Sequence, residues 1–236
     1  ACAVKAPAMP NDAASSVILK FAEDATLEIL ISGIDYGQGL MTVVAQFASE
    51  ALDLPVEKIR VKGCPDTDLS PYDWQTVASR QTWATGNAVF RAASEIRGKL
   101  CATAAQALSV PAEELTLKEG CVVHEATGRS LPFERLVMGY QFPDGHAIGG
   151  PVAAASSYLP EGLLFLDPET SQSAKPVAKW TFGAQAVEIS VDPETGQVTV
   201  EKVAACYDVG KVVNPALIKG QTYGGIVQGL GTGTME

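Results

Sequence analysis

The chain has 236 residues, 47% of them hydrophobic and 19% charged, enough apolar material for one large core or two smaller ones and too apolar for a disordered chain. Its formal charge of −10, with no local cluster of Lys and Arg, excludes a phosphate backbone as a natural partner, so no nucleic acid is expected. The longest apolar runs, such as Ser16–Phe21 and Leu27–Ile31, fall far short of the roughly twenty residues a membrane helix needs, so no membrane span is expected. The chain opens at Ala1, and Ala1-Cys2-Ala3-Val4 lacks the charged start and apolar length of a signal peptide, which suggests a fragment or a processed chain.

Ser16–Glu23 and Thr26–Ser32 read as strands joined by a tight Asp24-Ala25 turn. The second runs into the loop Gly33-Ile34-Asp35-Tyr36-Gly37-Gln38-Gly39, where two glycines flank an amide that both donates and accepts hydrogen bonds. Such a loop suits a polar ligand, and a plain turn between strand and helix has the same local pattern. Leu40, Val43, Val44, Phe47 and Ala51 recur at spacings of three and four, so Leu40–Leu52 is a helix with one inward face. Pro55 starts a turn and Ile59–Lys62 reads as a strand. Residues 63–82 then show no usable periodicity; a loop of that length is usually functional, and Pro71, Tyr72, Trp74 and Trp83 suggest an ordered one.

A long helix follows over Ala84–Leu108, with Val89, Ala92, Ala93, Ile96, Leu100, Ala104 and Leu108 on one face. Residues 111–140 alternate strand-like pieces with turns at Glu119-Gly120 and Thr127-Gly128, then give a helix from Pro132 to Gly139. The Pro-, Gly- and Ser-rich stretch 141–176 is expected to hold little regular structure and to mark an insertion or linker. Val177–Val191 and Gly196–Tyr207 pair as a hairpin around Asp192–Gly196, and a glycine-rich helix runs from about Asn214. The fold class is α+β, with mixed β-sheets packed against long helices. The expected division is a first subdomain over 1–140, a linker-like segment over 141–176 and a second part over 177–236.

The five cysteines, at positions 2, 64, 101, 121 and 206, are never spaced as Cys-x-x-Cys, which argues against a zinc site, an iron–sulfur cluster or a disulfide framework within the chain. Reduced thiols favour the cytoplasm. His124 and His146 stand apart in polar surroundings and read as solvated or locally hydrogen-bonded, poor material for a His-based metal site or a Ser-His-Asp triad. No metal ligand and no catalytic residue is assigned in the chain.

Three segments stand together: Gly33–Thr42; Asp66-Thr67 with Ser70–Thr82; and Asp208-Val209-Gly210 with Asn214-Pro215 and Gly220-Gln221-Thr222-Tyr223-Gly224-Gly225-Ile226-Val227-Gln228-Gly229-Leu230-Gly231. In order and spacing, over nearly the whole chain, they resemble the molybdopterin-binding region of the molybdenum hydroxylases, the family of xanthine dehydrogenase, aldehyde oxidase and the carbon monoxide dehydrogenase large subunit. The resemblance implies a molybdopterin carrying molybdenum, in its cytosine dinucleotide form. It implies that Gly37, Gln38, Gly39 and Gln221 lie against the cofactor, and that Ala78, Ser79, Arg80, Gln81 and Thr82 lie beside the metal and its pterin, Ala78 leaving room for substrate. Because the chain is acidic, directed backbone N–H groups and neutral side chains must do the recognition. Arg80 suits a phosphate and equally an ion pair with a carboxylate.

The resemblance further implies hydroxylation of a heteroaromatic ring or an aldehyde with oxygen from water, with electrons passed to iron–sulfur and FAD partners outside this chain. The family's Gly-Glu-x-Pro base motif does not occur in the sequence, so the expectation is part of a catalytic subunit, inactive alone and completed by the remainder of that subunit. The alternatives are a non-catalytic binding or assembly module and a naturally split subunit. Asp35, Asp66, Asp73 and Asp208 read as loop and cap formers. Trp74, Trp83, Tyr72 and Phe90 either line a pocket for a flat ring or pack locally.

Overall fold

The computed structural model describes residues 2–5, 13–63 and 66–235; Cys64 lies outside the described residues. The chain divides into two compact units, Pro10–Gly162 and a smaller one formed by Ala1–Met9 with Leu163–Glu236. The first strand, β1 (Cys2–Lys5), belongs to the smaller unit.

In the larger unit, β2 (Ser15–Phe21) buries Val17, Leu19 and Phe21 at every second position, as a half-buried strand requires. It turns through Asp24, whose Oδ1 accepts the Thr26 N–H at 2.9 Å, into the antiparallel β3 (Leu27–Leu30), with Phe21 opposite Leu27. From β3 the chain crosses through α1 (Leu40–Leu52) to β4 (Ile59–Lys62), which pairs parallel to β3, a connection that needs a crossover element. Leu40, Val43, Val44, Ala48 and Leu52 form the buried stripe of α1, with Phe47 and Ala51 at its half-buried margin.

The spine of the unit is α2 (Gln81–Leu108), three residues longer at its start than the apolar spacing indicates, because its first turn is held by polar side chains. Every apolar residue assigned to its inward face is buried. Close approach of the two helices depends on Gly86, where a Cβ would lie 2.8 Å from the ring of Phe47. Ser109, in the left-handed region at φ 53°, ends the helix.

A small antiparallel sheet follows, β5 (Leu115–Lys118), β6 (Cys121–His124) and β7 (Arg129–Pro132). The helix expected over Pro132–Gly139 is one 3₁₀ turn, Phe133–Arg135, since Pro132 still belongs to β7 and Gly139 reverses the chain at φ 96°. That single turn is enough to put Phe133, Leu136 and Val137 into the core, where Phe133 meets Phe21 edge-on at 5.8 Å. A two-residue pair, β8 (Tyr140–Gln141) and β9 (Ala147–Ile148), leads to β10 (Ala153–Tyr158), which pairs antiparallel with β2 and completes a sheet of order β10-β2-β3-β4. The stretch expected to be irregular thus supplies an edge strand. Ala153-Ala154-Ala155-Ser156-Ser157 lacks the branched and aromatic residues that mark a strand, and its order comes from pairing with β2.

In the smaller unit, β11 (Thr181–Val191) and β12 (Val198–Asp208) form a long hairpin closed by Asp192, whose N–H reaches the Gln197 carbonyl at 2.9 Å; β1 adds to its other edge. Tyr207 lies across Gly183, where a Cβ would come within 2.5 Å of the ring. The last element, α3 (Pro215–Thr234), starts with Pro215 at its first position and with Asn214 Oδ1 accepting the Leu217 N–H at 3.1 Å. Among the described residues the buried hydrophobic side chains all lie between Ala13 and Ala154, and none lies in α3.

Candidate functional site

The loop between β3 and α1 is organised by Asp35. Its Oδ1 accepts the N–H groups of Gly37 at 2.9 Å and Gly39 at 3.1 Å, and its Oδ2 that of Met41 at 3.1 Å, so one carboxylate satisfies the entry of α1. Burial pushes this carboxyl up, but the backbone donors of Gly37, Met41, Gly39 and Leu40 outweigh it and hold its pKa below the ordinary value. The positive φ values of Gly37 (108°) and Gly39 (82°) make the turn possible. Gln38 folds back on its own loop, accepting the Tyr36 N–H at 2.6 Å and donating to the Ile34 carbonyl at 2.9 Å.

The loop before α2 is built around a buried ion pair. Arg80, 1% exposed, places Nη1 3.2 Å from Asp73 Oδ1 and 2.9 Å from the Gln75 carbonyl, and Nη2 on the Ala13 carbonyl. Burial lowers the Arg80 pKa, while Asp73 beside it pulls the other way. Asp73 Oδ2 takes the Ser15 hydroxyl at 2.6 Å, and Oδ1 also takes Gln81 Nε2 at 2.7 Å. The Gln81 amide completes its set with the Gln75 carbonyl, Thr76 and Thr85. Arg80 and Gln81, expected at the cofactor, are therefore turned into the protein, and of the two readings of Arg80 the geometry shows the ion pair. Backbone bonds from Ser16 to Tyr72 and from Trp74 to Ala14 tie the loop to β2, so it is ordered.

At the end of this loop, Ala78 and Ser79 sit in the left-handed region at φ 52° and 56°, an unfavourable conformation for residues with a Cβ, immediately before the first turn of α2. Ser79 and Thr82 are exposed there. No side chain caps this helix and its first turn carries no acid, whereas the entry of α1 is filled by Asp35. The sequence has no Asp or Glu between Asp73 and Glu95.

Over residues 1–236 the sequence matches the family described as molybdopterin cofactor-binding domain. The chain belongs to the molybdenum hydroxylase family, as a molybdopterin cofactor-binding domain. It is 31% identical over 216 residues to the xanthine dehydrogenase molybdenum-binding subunit of Escherichia coli O157:H7, which covers 91% of this chain and 26% of that subunit. With the nicotine 6-hydroxylase large subunit of Paenarthrobacter nicotinovorans it shares 33% identity over 217 residues, 90% of this chain and 25% of the relative. The domain thus spans about a quarter of the length of the curated relatives it matches. Its fold superposes on a crystal structure of Cu,Mo-CO dehydrogenase with a TM-score of 0.78 at 22% identity, covering 95% of this chain and 28% of the other. Quinoline 2-oxidoreductase from Pseudomonas putida 86 gives 0.77 at 22% identity, covering 98% and 29%.

The donor set of the molybdopterin-binding domain fits such a group. A helix start without a side-chain cap, exposed Ser79 and Thr82, and a neighbouring Asp73 whose charge is paired with Arg80 suit an anionic, acceptor-rich ligand without a basic patch. Gln221 is exposed on α3 in the smaller unit. Asp208 Oδ1 accepts the Gly210 N–H at 3.0 Å and Asp66 Oδ1 that of Asp68 at 2.9 Å, the loop-forming roles read from the sequence. The aromatic residues pack locally: Trp83 meets Tyr158 edge-on at 5.2 Å, Phe90 meets Phe47 at 5.4 Å, and Arg80 lies over Trp74. His124 is buried between Thr127 and Glu114, and exposed His146 stacks on Phe142. Among the described residues no group of three or more His, Cys, Asp or Glu could hold a metal, and no helix is long and apolar enough to cross a membrane.

Proposed function

We infer that this domain supplies part of the grip on the molybdopterin cofactor in the catalytic subunit of a molybdenum hydroxylase. Ser79, Thr82 and the first amides of α2 take the polar edge of the cofactor or a phosphate of its cytosine dinucleotide form. Gly37, Gln38 and Gly39 border that surface, and Ala78 keeps the space beside the metal open; Gln221, on α3, is a further cofactor contact by the family resemblance. Arg80 and Gln81 support the surface from beneath. The observation that carries this reading is the meeting of the 33–39 and 66–80 loops at the start of α2, whose neighbouring Asp73 is paired with Arg80.

When bound, the cofactor supplies the redox chemistry for hydroxylating a heteroaromatic ring or an aldehyde with oxygen from water. Kinship with xanthine dehydrogenase and nicotine 6-hydroxylase subunits favours the heteroaromatic ring. Electrons would leave to iron–sulfur and FAD partners in the cytoplasm. Without a Gly-Glu-x-Pro motif in the sequence, turnover needs the remainder of the catalytic subunit.

The test is retention of molybdopterin, released from a donor enzyme, by the purified chain after desalting, read by the fluorescence of the oxidised pterin. Wild type retains the pterin, and the double variant Ser79→Ala/Thr82→Ala binds it about tenfold more weakly, the loss expected for directed hydrogen bonds. Equal retention by the double variant, or none by wild type, would reject the assignment. The same chain, loaded, shows no hydroxylation of purine or aldehyde substrates; turnover by the chain alone would remove the need for the rest of the subunit.

A further inference from the structure

Thr76 joins the two loops twice. Its Oγ1 accepts the Ile34 N–H at 2.7 Å, and its backbone carbonyl accepts the Tyr36 hydroxyl at 3.2 Å. Ile34 and Tyr36 are 42 and 40 residues away in sequence, inside the 33–39 loop. On its other side Thr76 Oγ1 takes Gln81 Nε2 at 3.3 Å, and Gln81 continues to Asp73 and so to the buried Arg80. The side-chain bonds of Asp35 and Gln38, by contrast, close within their own loop and the first turn of α1. The 33–39 loop is therefore a pre-folded piece, and Thr76 links it to the network that fixes the start of α2. Spacing at this join is tight, since a Cβ on Gly33 would lie 3.0 Å from Gln81 Oε1.

We propose that Thr76 is a positioning residue that locks the Gly37-Gln38-Gly39 loop in register with the Ala78–Thr82 turn, so that the molybdopterin-binding surface exists before the cofactor arrives. This rests on the cofactor reading above. A surface assembled in advance spares the ligand the ordering of a loop at the moment of binding. Without the hydroxyl, the Ile34 N–H faces a methyl group, and the loop keeps its internal bonds but loses its fixed distance to α2. The core residues that hold the unit together do not include Thr76, so affinity falls while the fold remains.

Thr76→Val, Thr76→Ser and Tyr36→Phe are compared with wild type by two readouts on the whole chain, retention of molybdopterin and hydrogen exchange at the Ile34 amide. Thr76→Val is expected to weaken pterin binding about tenfold and to speed Ile34 exchange by a similar factor, with exchange in the middle of α2 unchanged. Thr76→Ser, which keeps the hydroxyl, restores both. Tyr36→Phe removes only the exposed link and cannot disturb the core; it gives a smaller loss of the same kind. If wild type binds and both Thr76→Val and Tyr36→Phe bind equally well, the positioning role is overturned alone. If wild type itself fails to bind, the cofactor reading fails and takes this role with it.

Discussion

Two carboxylates show how single residues tie stability to pH. Glu28 on β3 is flanked by Lys62 at 2.7 Å and Lys20 at 2.9 Å, whose hydrogen bonds push its pKa down to about 2. Because the folded value lies below the unfolded one, the stabilisation is fully present above the ordinary carboxylate range and is lost as pH falls from about 4.5 toward 2. A carboxyl titration followed by NMR should give a midpoint near 2 for Glu28 and a clearly higher one in Lys62→Ala. Asp35 follows the same sign. Asp35→Asn is expected to destabilise the entry of α1 by about 1–2 kcal/mol at neutral pH. The gap to wild type should close as acid protonates the native carboxylate. A gap in the denaturation midpoint that stays constant down to low pH would show that charge at this position is irrelevant.

At the scale of elements, glycine has opposite meanings in two helices. Gly86 in α2 makes room for Phe47, so Gly86→Ala drives a methyl against a packed ring and should lower the urea midpoint of the larger unit despite the better helix propensity. In α3, a Cβ on Gly224 or Gly229 would meet nothing within 4 Å, so Gly224→Ala should slow amide exchange in that helix, with a gain of about 1 kcal/mol. If both substitutions act with the same sign, the packing described for α1 and α2 is wrong. The elements that periodicity revealed were those with an apolar face to bury: β2, β3, α1, β4 and the body of α2. What it concealed was held by other forces. The first turn of α2 depends on the buried Asp73–Arg80–Gln81 network, and β10 on the partner strand β2, neither of which leaves a repeat in the local sequence.

For the whole molecule, all the described buried hydrophobic residues fall in Pro10–Gly162, so that unit expressed alone should fold with one cooperative transition close to the main transition of the full chain. Residues 181–234 should exchange amide hydrogens faster than this core. An aggregated or unfolded 10–162 product would mean that the smaller unit is needed for the larger one to form. The candidate site was legible as motifs, because glycines and neutral polar residues crowd into two loops. Its inner working was not: which of Ser79, Arg80, Gln81 and Thr82 face outward depends on where Asp73 lies, and the Thr76 link spans residues too distant for any local pattern. Helix α2 is at once the spine of the core and, at its start, a helix end with no side-chain cap. A ligand held at that end can bind only the folded unit, so by mass action it must raise the melting temperature of the entire core, by the equivalent of about 2.7 kcal/mol at a hundredfold excess over Kd. The domain is in this sense its own calorimeter: heat capacity traces of the core, recorded with and without cofactor, weigh the occupancy of a surface many residues away from the side chains that melt.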